Sequence, residues 1–139
     1  MNLKEYIRSI PDYPKKGILF RDISTLIKNE KAFHETINEI IERSKKYKID
    51  KIAAIESRGF VFASAVSYIL KKPFIMLRKK NKLPADVHSV DFELEYGTAT
   101  IEVHKDSLNE NDNVLIIDDL IATGGTAEAA AKLVEISNS

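Results

Sequence analysis

Cysteine is absent from all 139 residues, which excludes disulfides, thiol nucleophiles and cysteine-ligated zinc. Excess charge is absent as well, because 21 Lys and Arg balance 21 Asp and Glu. A neutral chain exerts no overall pull on nucleic acid or an anionic membrane, although a local cluster of donors still binds phosphate. No apolar run is long enough to cross a bilayer. Met1-Asn2-Leu3-Lys4-Glu5 leads into no apolar stretch of the signal-peptide kind, so a cytoplasmic protein is expected. Neither G-x-G-x-x-G nor G-x-x-x-x-G-K-[ST] occurs, which argues against dinucleotide and P-loop sites. No metal-ligand spacing connects His34, His88 and His104. Internal repeats and low-complexity tracts are also missing.

What is present reads as one globular domain spanning 1–139, with an ordinary balance of apolar and charged residues. The pattern predicts a short amphipathic helix over 2–10, ended by Pro11 and Pro14, and then a loop over 14–25. A second helix over 31–47 sets Phe33, Ile37, Ile40, Ile41 and Tyr47 near one face. Ile52-Ala53-Ala54-Ile55 is continuously apolar, as a strand buried on both faces requires. A helix over 60–70, a strand over 73–77 and a basic loop over 78–87 follow. Val90, Phe92 and Leu94 alternate with acids; beyond Tyr96-Gly97, Ala99, Ile101 and Val103 alternate with polar residues. This alternation predicts an antiparallel hairpin with one wet face. A buried strand over 114–117 and an Ala-rich helix over 126–136 complete the chain. The expected class is α/β, with a mainly parallel sheet flanked by helices. The last helix would cross over to a further parallel strand, but the chain stops at Ser139.

The richest stretch is Val114-Leu115-Ile116-Ile117-Asp118-Asp119-Leu120-Ile121-Ala122-Thr123-Gly124-Gly125-Thr126. Four apolar residues bury a strand, and two acids stand at its C-terminal tip, where open α/β sheets bind ligands. Thr-Gly-Gly-Thr then opens a helix, offering backbone N–H groups and hydroxyls to a phosphate. Glycine permits the close approach. Adjacent carboxylates accept hydrogen bonds from a vicinal diol, so acids beside a phosphate nest suit a ribose 5-phosphate.

This stretch resembles the motif by which type I phosphoribosyltransferases bind 5-phosphoribosyl-1-pyrophosphate (PRPP). Three further segments narrow the likeness to adenine phosphoribosyltransferases. Ile10-Pro11-Asp12-Tyr13-Pro14 and Gly17-Ile18-Leu19-Phe20-Arg21-Asp22-Ile23 resemble that family's base-recognition region, over 1–28. The resemblance implies that Phe20 stacks on adenine, flanked by Leu19 and Arg21. Glu56-Ser57-Arg58-Gly59-Phe60 resembles the pyrophosphate loop, in which Ser57 and Arg58 would hold phosphate oxygens. Arg78-Lys79-Lys80-Asn81-Lys82-Leu83-Pro84 and Leu94-Glu95-Tyr96-Gly97-Thr98 resemble the two ends of a mobile catalytic loop, over 78–97, set on a core over 29–139. Asn81 stands where the family often has glycine, and Ala99 where an acid is expected.

The implied reaction is displacement of pyrophosphate from PRPP by adenine N9, giving AMP. The resemblance implies Arg58, Arg78 and Lys82 as cations on the leaving group, and Glu95 with Tyr96 over the purine. It implies Asp118 and Asp119 on the ribose, and Ala122, Thr123, Gly124, Gly125 and Thr126 around the 5-phosphate. Mg2+ would arrive mainly through PRPP, and a homodimer is expected. The family continues into a further strand and a segment closing the adenine pocket, which this chain lacks. Other readings remain open: a related enzyme for another base, a PRPP-sensing domain, and a non-catalytic truncated subunit.

Overall fold

The computed structural model describes residues 2–17, 19–94, 97–118 and 125–138. The chain divides into two compact units, Met1–Lys45 and Lys46–Ser139.

In the first unit, residues 2–10 do not form the amphipathic helix that their pattern predicts. A single 3-10 turn, Leu3–Tyr6, is capped by the Asn2 side chain. Strand β1, Arg8–Pro11, then pairs antiparallel with β2, Leu19–Asp22, which replaces part of the expected loop. A nine-residue helix is marginal by itself. Here it loses to a ladder that sets Arg8 directly opposite Asp22 and joins them in an ion pair. The Asp12 side chain accepts from Gly17 N at 2.8 Å, and Gly17 takes the positive φ of +88° that the turn requires.

Helix α1, Ser24–Ile27, follows directly, held by Asp22, whose carboxylate accepts from Ser24 N at 2.9 Å and Ser24 Oγ at 2.7 Å. Asn29 then caps α2, Glu30–Ser44, by accepting from Ala32 N at 2.9 Å. Ile23, Leu26, Ala32 and Ile37 are buried. Because α2 stops at Ser44, Tyr47 lies beyond the helix and is 63% exposed, contrary to its expected place on the inner face. Ser44 is buried instead, its hydroxyl donating back to Ile41 O.

The second unit contains β3 (Lys51–Ile55), α3 (Arg58–Leu70), β4 (Phe74–Lys79), β5 (Val87–Leu94), β6 (Gly97–His104), β7 (Val114–Ile117) and α4 (Gly125–Asn138). Its sheet has the order β5-β6-β4-β3-β7. Strand β3 is parallel to both β4 and β7. The β5–β6 hairpin is continuous with this parallel core, because β6 pairs antiparallel with β4 at Arg78↔Glu102 and Lys79↔Ile101. The sheet is therefore mixed.

Alternation along β3 explains its apolar run. Ala53 and Ile55 join Leu77, Ile101 and Val103 under Ala129, Ala130 and Leu133 of α4. Ile52 and Ala54 are equally buried, and Ala54 is close to Gly59 of α3. Helix α3 packs on β3, β4 and β7, while α4 packs on β5, β6 and β7. The outer surface of α3 leaves Val61, Tyr68 and Ile69 exposed. At the start of β3, Lys51 bonds Asp112 at 3.0 Å and the Ser107 carbonyl at 2.9 Å; Asp112 also accepts from Asn109 N. No helix among the described residues is long and apolar enough to cross a membrane.

The hydroxyl of Ser24 lowers the Asp22 pKa most, followed by the Ser24 N–H and Arg8, against a smaller opposing effect of burial. The result is a shift from 3.8 to about 2. A depressed carboxylate pKa adds stability that is complete above the unfolded value and disappears as pH falls through the folded one. Asp22→Asn should therefore be less stable than the parent above pH 3.8, with the difference closing as pH falls through about 2. Urea unfolding across that range measures it; a difference independent of pH would refute the assignment.

Candidate active site

Parallel pairing brings three strand ends to one edge of the sheet. Ile55 is in register with Leu77, and Ala54 with Ile117. Glu56 and Asp118, the residues just beyond β3 and β7, therefore stand beside Arg78 in the last residues of β4, where open α/β sheets place their ligands. Gly59 makes the approach of α3 to β7 possible. A Cβ built there would lie 3.1 Å from the Ile117 carbonyl oxygen and 3.6 Å from Asp118 Cα.

Between β3 and α3, the Glu56–Ser57 peptide bond is cis. Glu56 engages β4 with both its main chain and its side chain. Its N–H donates to the Leu77 carbonyl at 3.0 Å. Its carboxylate accepts from Lys79 N at 2.6 Å and from Arg78 Nη2 at 3.3 Å. The side chain is only 13% exposed. Burial pushes its pKa up, but the Lys79 N–H and then Arg78 outweigh that, so the carboxyl lies below its ordinary range. Arg78 makes a longer contact from Nη1 to the Lys82 carbonyl at 3.5 Å. Its Nε is buried and has no hydrogen-bond partner.

The basic loop after β4 is held by a second carboxylate. Glu102, on β6, is 7% exposed although strand alternation puts it on the expected wet face. It accepts from Asn81 N at 2.9 Å and from Ser89 Oγ at 2.7 Å. The Ser89 hydroxyl and then the Asn81 N–H depress its pKa against a smaller effect of burial. Asn81 takes a φ of +68°, a conformation that Asn tolerates better than most residues.

The expected site residues are thus placed unevenly. Ser57 is exposed at the α3 N-cap and makes no side-chain cap bond; Arg58 begins the helix half-buried. Arg78 ends near Glu56, and Lys82 is exposed in the loop. Asp118 is half-buried beyond β7. Leu19, Phe20 and Arg21 lie on β2 in the first unit, and Arg21 Nη1 donates to Ser9 Oγ. Gly125 and Thr126 open α4. Glu95, Tyr96, Asp119, Ala122, Thr123 and Gly124 lie outside the described residues. Among the described residues, no three His, Asp or Glu side chains gather as a metal cage.

The phosphoribosyl transferase domain model matches residues 24–139. Over 138 residues the chain is 86% identical to an adenine phosphoribosyltransferase of Pelagibacter ubique (strain HTCC1062), covering 99% of this chain and 79% of that protein. The chain belongs to the adenine phosphoribosyltransferase family. Its fold agrees. The adenine phosphoribosyltransferase crystal structure from Thermoanaerobacter pseudethanolicus ATCC 33223 superposes with a TM-score of 0.94 at 48% identity, covering 98% of this chain and 79% of that one. The APRTase of Giardia lamblia, complexed with 9-deazaadenine, gives 0.94 at 41% identity, covering 98% and 76%.

For this adenine phosphoribosyltransferase family member, sequence reasoning missed Glu56 and Glu102. Glu56 opens the Glu56-Ser57-Arg58-Gly59-Phe60 motif, and an acid at the tip of a buried strand is itself a signal. Glu102 carries no local signal, since its partners lie 21 and 13 residues away. The Gly59 approach leads to a direct expectation. Gly59→Ala must push α3 from the β7 tip by a few tenths of an ångström. It should cost about 1–3 kcal/mol, the usual range for overpacking. Urea unfolding measures this; an unchanged midpoint would show that α3 withdraws freely.

Proposed function

We propose that this chain transfers the 5-phosphoribosyl group of PRPP to adenine, giving AMP and pyrophosphate. The observation that carries the proposal is the convergence of the β3, β4 and β7 ends, which sets Glu56-Ser57-Arg58, Arg78 and Asp118 along one sheet edge. The relatives' names put adenine ahead of xanthine, hypoxanthine or orotate. Both units are taken as one phosphoribosyltransferase domain, with 1–28 reading the base and 29–139, including the loop 78–97, serving the phosphoribosyl group.

Adenine N9 attacks C1 of the ribose while pyrophosphate departs, so positive charge grows on the sugar and negative charge on the leaving group. Stabilising that separated charge is the main task of the protein. Arg58, Arg78 and Lys82 supply charge-assisted donors to the leaving group. Asp118 and Asp119 hold the ribose hydroxyls. Ala122, Thr123, Gly124, Gly125 and Thr126 hold the 5-phosphate at the α4 N-terminus. Phe20, between Leu19 and Arg21, offers a flat plate to the purine. Glu95 takes a purine proton beside Tyr96, and the loop over 78–97 excludes water.

Magnesium suits this donor set. Mg2+ is usually bound by one or two carboxylates together with substrate phosphates. Asp118 offers one such carboxylate beyond β7. The ion would neutralise charge on the pyrophosphate of PRPP. A phosphorylated sugar and a nucleotide product do not cross a bilayer unaided, which favours a cytoplasmic setting. The exposure of Val61, Tyr68 and Ile69 on α3 favours a homodimer.

Incubation with adenine, PRPP and Mg2+ should yield AMP by chromatography, while hypoxanthine, xanthine and orotate yield none of their nucleotides. Asp119→Ala should weaken PRPP binding by at least about tenfold, as loss of charged hydrogen bonds does. No AMP, or native PRPP affinity in that variant, would overturn the reaction or the ribose assignment respectively. Tyr68→Glu should shift a dimer to monomer in sedimentation velocity; an unchanged dimer would move the interface elsewhere.

A further inference from the structure

We propose that Glu56 is a positioning residue for Arg78, its half-buried carboxylate holding the guanidinium and the Lys79 N–H together at the end of β4. The proposal deepens the function given above, since it rests on Arg78 being a pyrophosphate ligand.

Arginine carries many rotamers, so an unrestrained Arg78 would lose conformational freedom each time it met a phosphate. Glu56 removes that freedom beforehand. One carboxylate oxygen takes the Lys79 N–H at 2.6 Å and the other takes Arg78 Nη2 at 3.3 Å. The backbone of Glu56 is itself tied to β4 through Leu77 O. The carboxylate is thereby anchored to the strand end that carries the arginine. Its side chain is 13% exposed, against 31% for Arg78, so the carboxylate is the more sheltered partner. The pairing uses only the Nη2 end of the fork. Nε has no partner, and Nη1 reaches only the Lys82 carbonyl at 3.5 Å. Glu56 therefore orients the guanidinium through Nη2 and leaves Nη1, weakly held at 3.5 Å, for an anion, while Nε stays buried. A neutral acceptor would satisfy the Lys79 N–H but would hold the cation less firmly, because charge-assisted bonds are the stronger ones.

A structural role alone would also make Glu56 matter, and the test must separate the two. Asp112 is a matched control. It is 13% exposed, accepts from the Asn109 N–H, and pairs with Lys51 at the opposite, starting end of β3. PRPP–Mg2+ affinity by titration calorimetry, steady-state kinetics and melting temperature would be measured for Glu56→Gln, Arg78→Ala, the double variant and Asp112→Asn. Glu56→Gln should weaken PRPP binding roughly tenfold, the scale of a lost charged hydrogen bond, with the adenine KM little changed. In the Arg78→Ala background the same change should cost less than about twofold, because residues acting through one another are not additive. Asp112→Asn should lower the melting temperature and leave PRPP affinity unchanged. If Arg78→Ala binds PRPP like the parent, the ligand role of Arg78 falls, and this proposal with it. If Arg78→Ala is impaired while Glu56→Gln is not, or if Glu56→Gln costs the same in both backgrounds, the positioning role alone is overturned. Glu56→Asp, which keeps the charge one methylene short, carries the same comparison if Glu56→Gln does not fold; it should lose affinity in the parent and not beside Arg78→Ala.

Discussion

The register of three parallel strands is the constraint from which the rest follows. Because Ile55 pairs with Leu77 and Ala54 with Ile117, β3 and β7 end within one residue of each other, beside the last residues of β4. Each exit then turns into a segment of different chemistry: a Ser-Arg-Gly turn, a basic loop, and an acidic tip. Their proximity is a product of backbone hydrogen bonding deep in the sheet, which small alanines at positions 53 and 54 allow two helices to cover closely. The same packing that stabilises the unit also fixes the distance between donors.

Carboxylates do the finer adjustment. Glu56, just beyond β3, and Glu102, on β6, take alternate backbone N–H groups, those of Lys79 and Asn81. Four cations, Arg78, Lys79, Lys80 and Lys82, crowd this short stretch. Left alone, such a run would repel itself and extend into solvent. Two acids with depressed pKa values keep its first half in place.

Legibility in the sequence followed the range of the forces involved. Strands β3 and β7 were readable because burial on both faces writes a continuous apolar run, and α3 and α4 because the helical pattern is local. Strands β1 and β2 were not, since their stability comes from pairing Arg8 with Asp22 across 14 residues. Tyr47 shows a different failure. Its spacing fits the α2 face, but spacing does not reveal that the helix has already ended at Ser44. Glu102 was misread as solvated because alternation names a face without saying what covers it; here the cover is the turn at Asn81. At the candidate site, motif likeness suggested residue types, whereas the bonds of Glu56 to Arg78 and to the Lys79 N–H came only with three-dimensional proximity.

Helix α4 touches β5, β6 and β7, so it spans from the parallel core to the hairpin. Val90 and Phe92 of β5 pack against the cluster that contains Ala129, Ala130 and Leu133. In mechanical terms the helix is a strut with the hairpin resting along its side. A strut clamped at one end resists rocking along its whole length. Whatever grips the first turn of α4 therefore also stiffens the mounting of the hairpin, even though it touches none of the hairpin's residues.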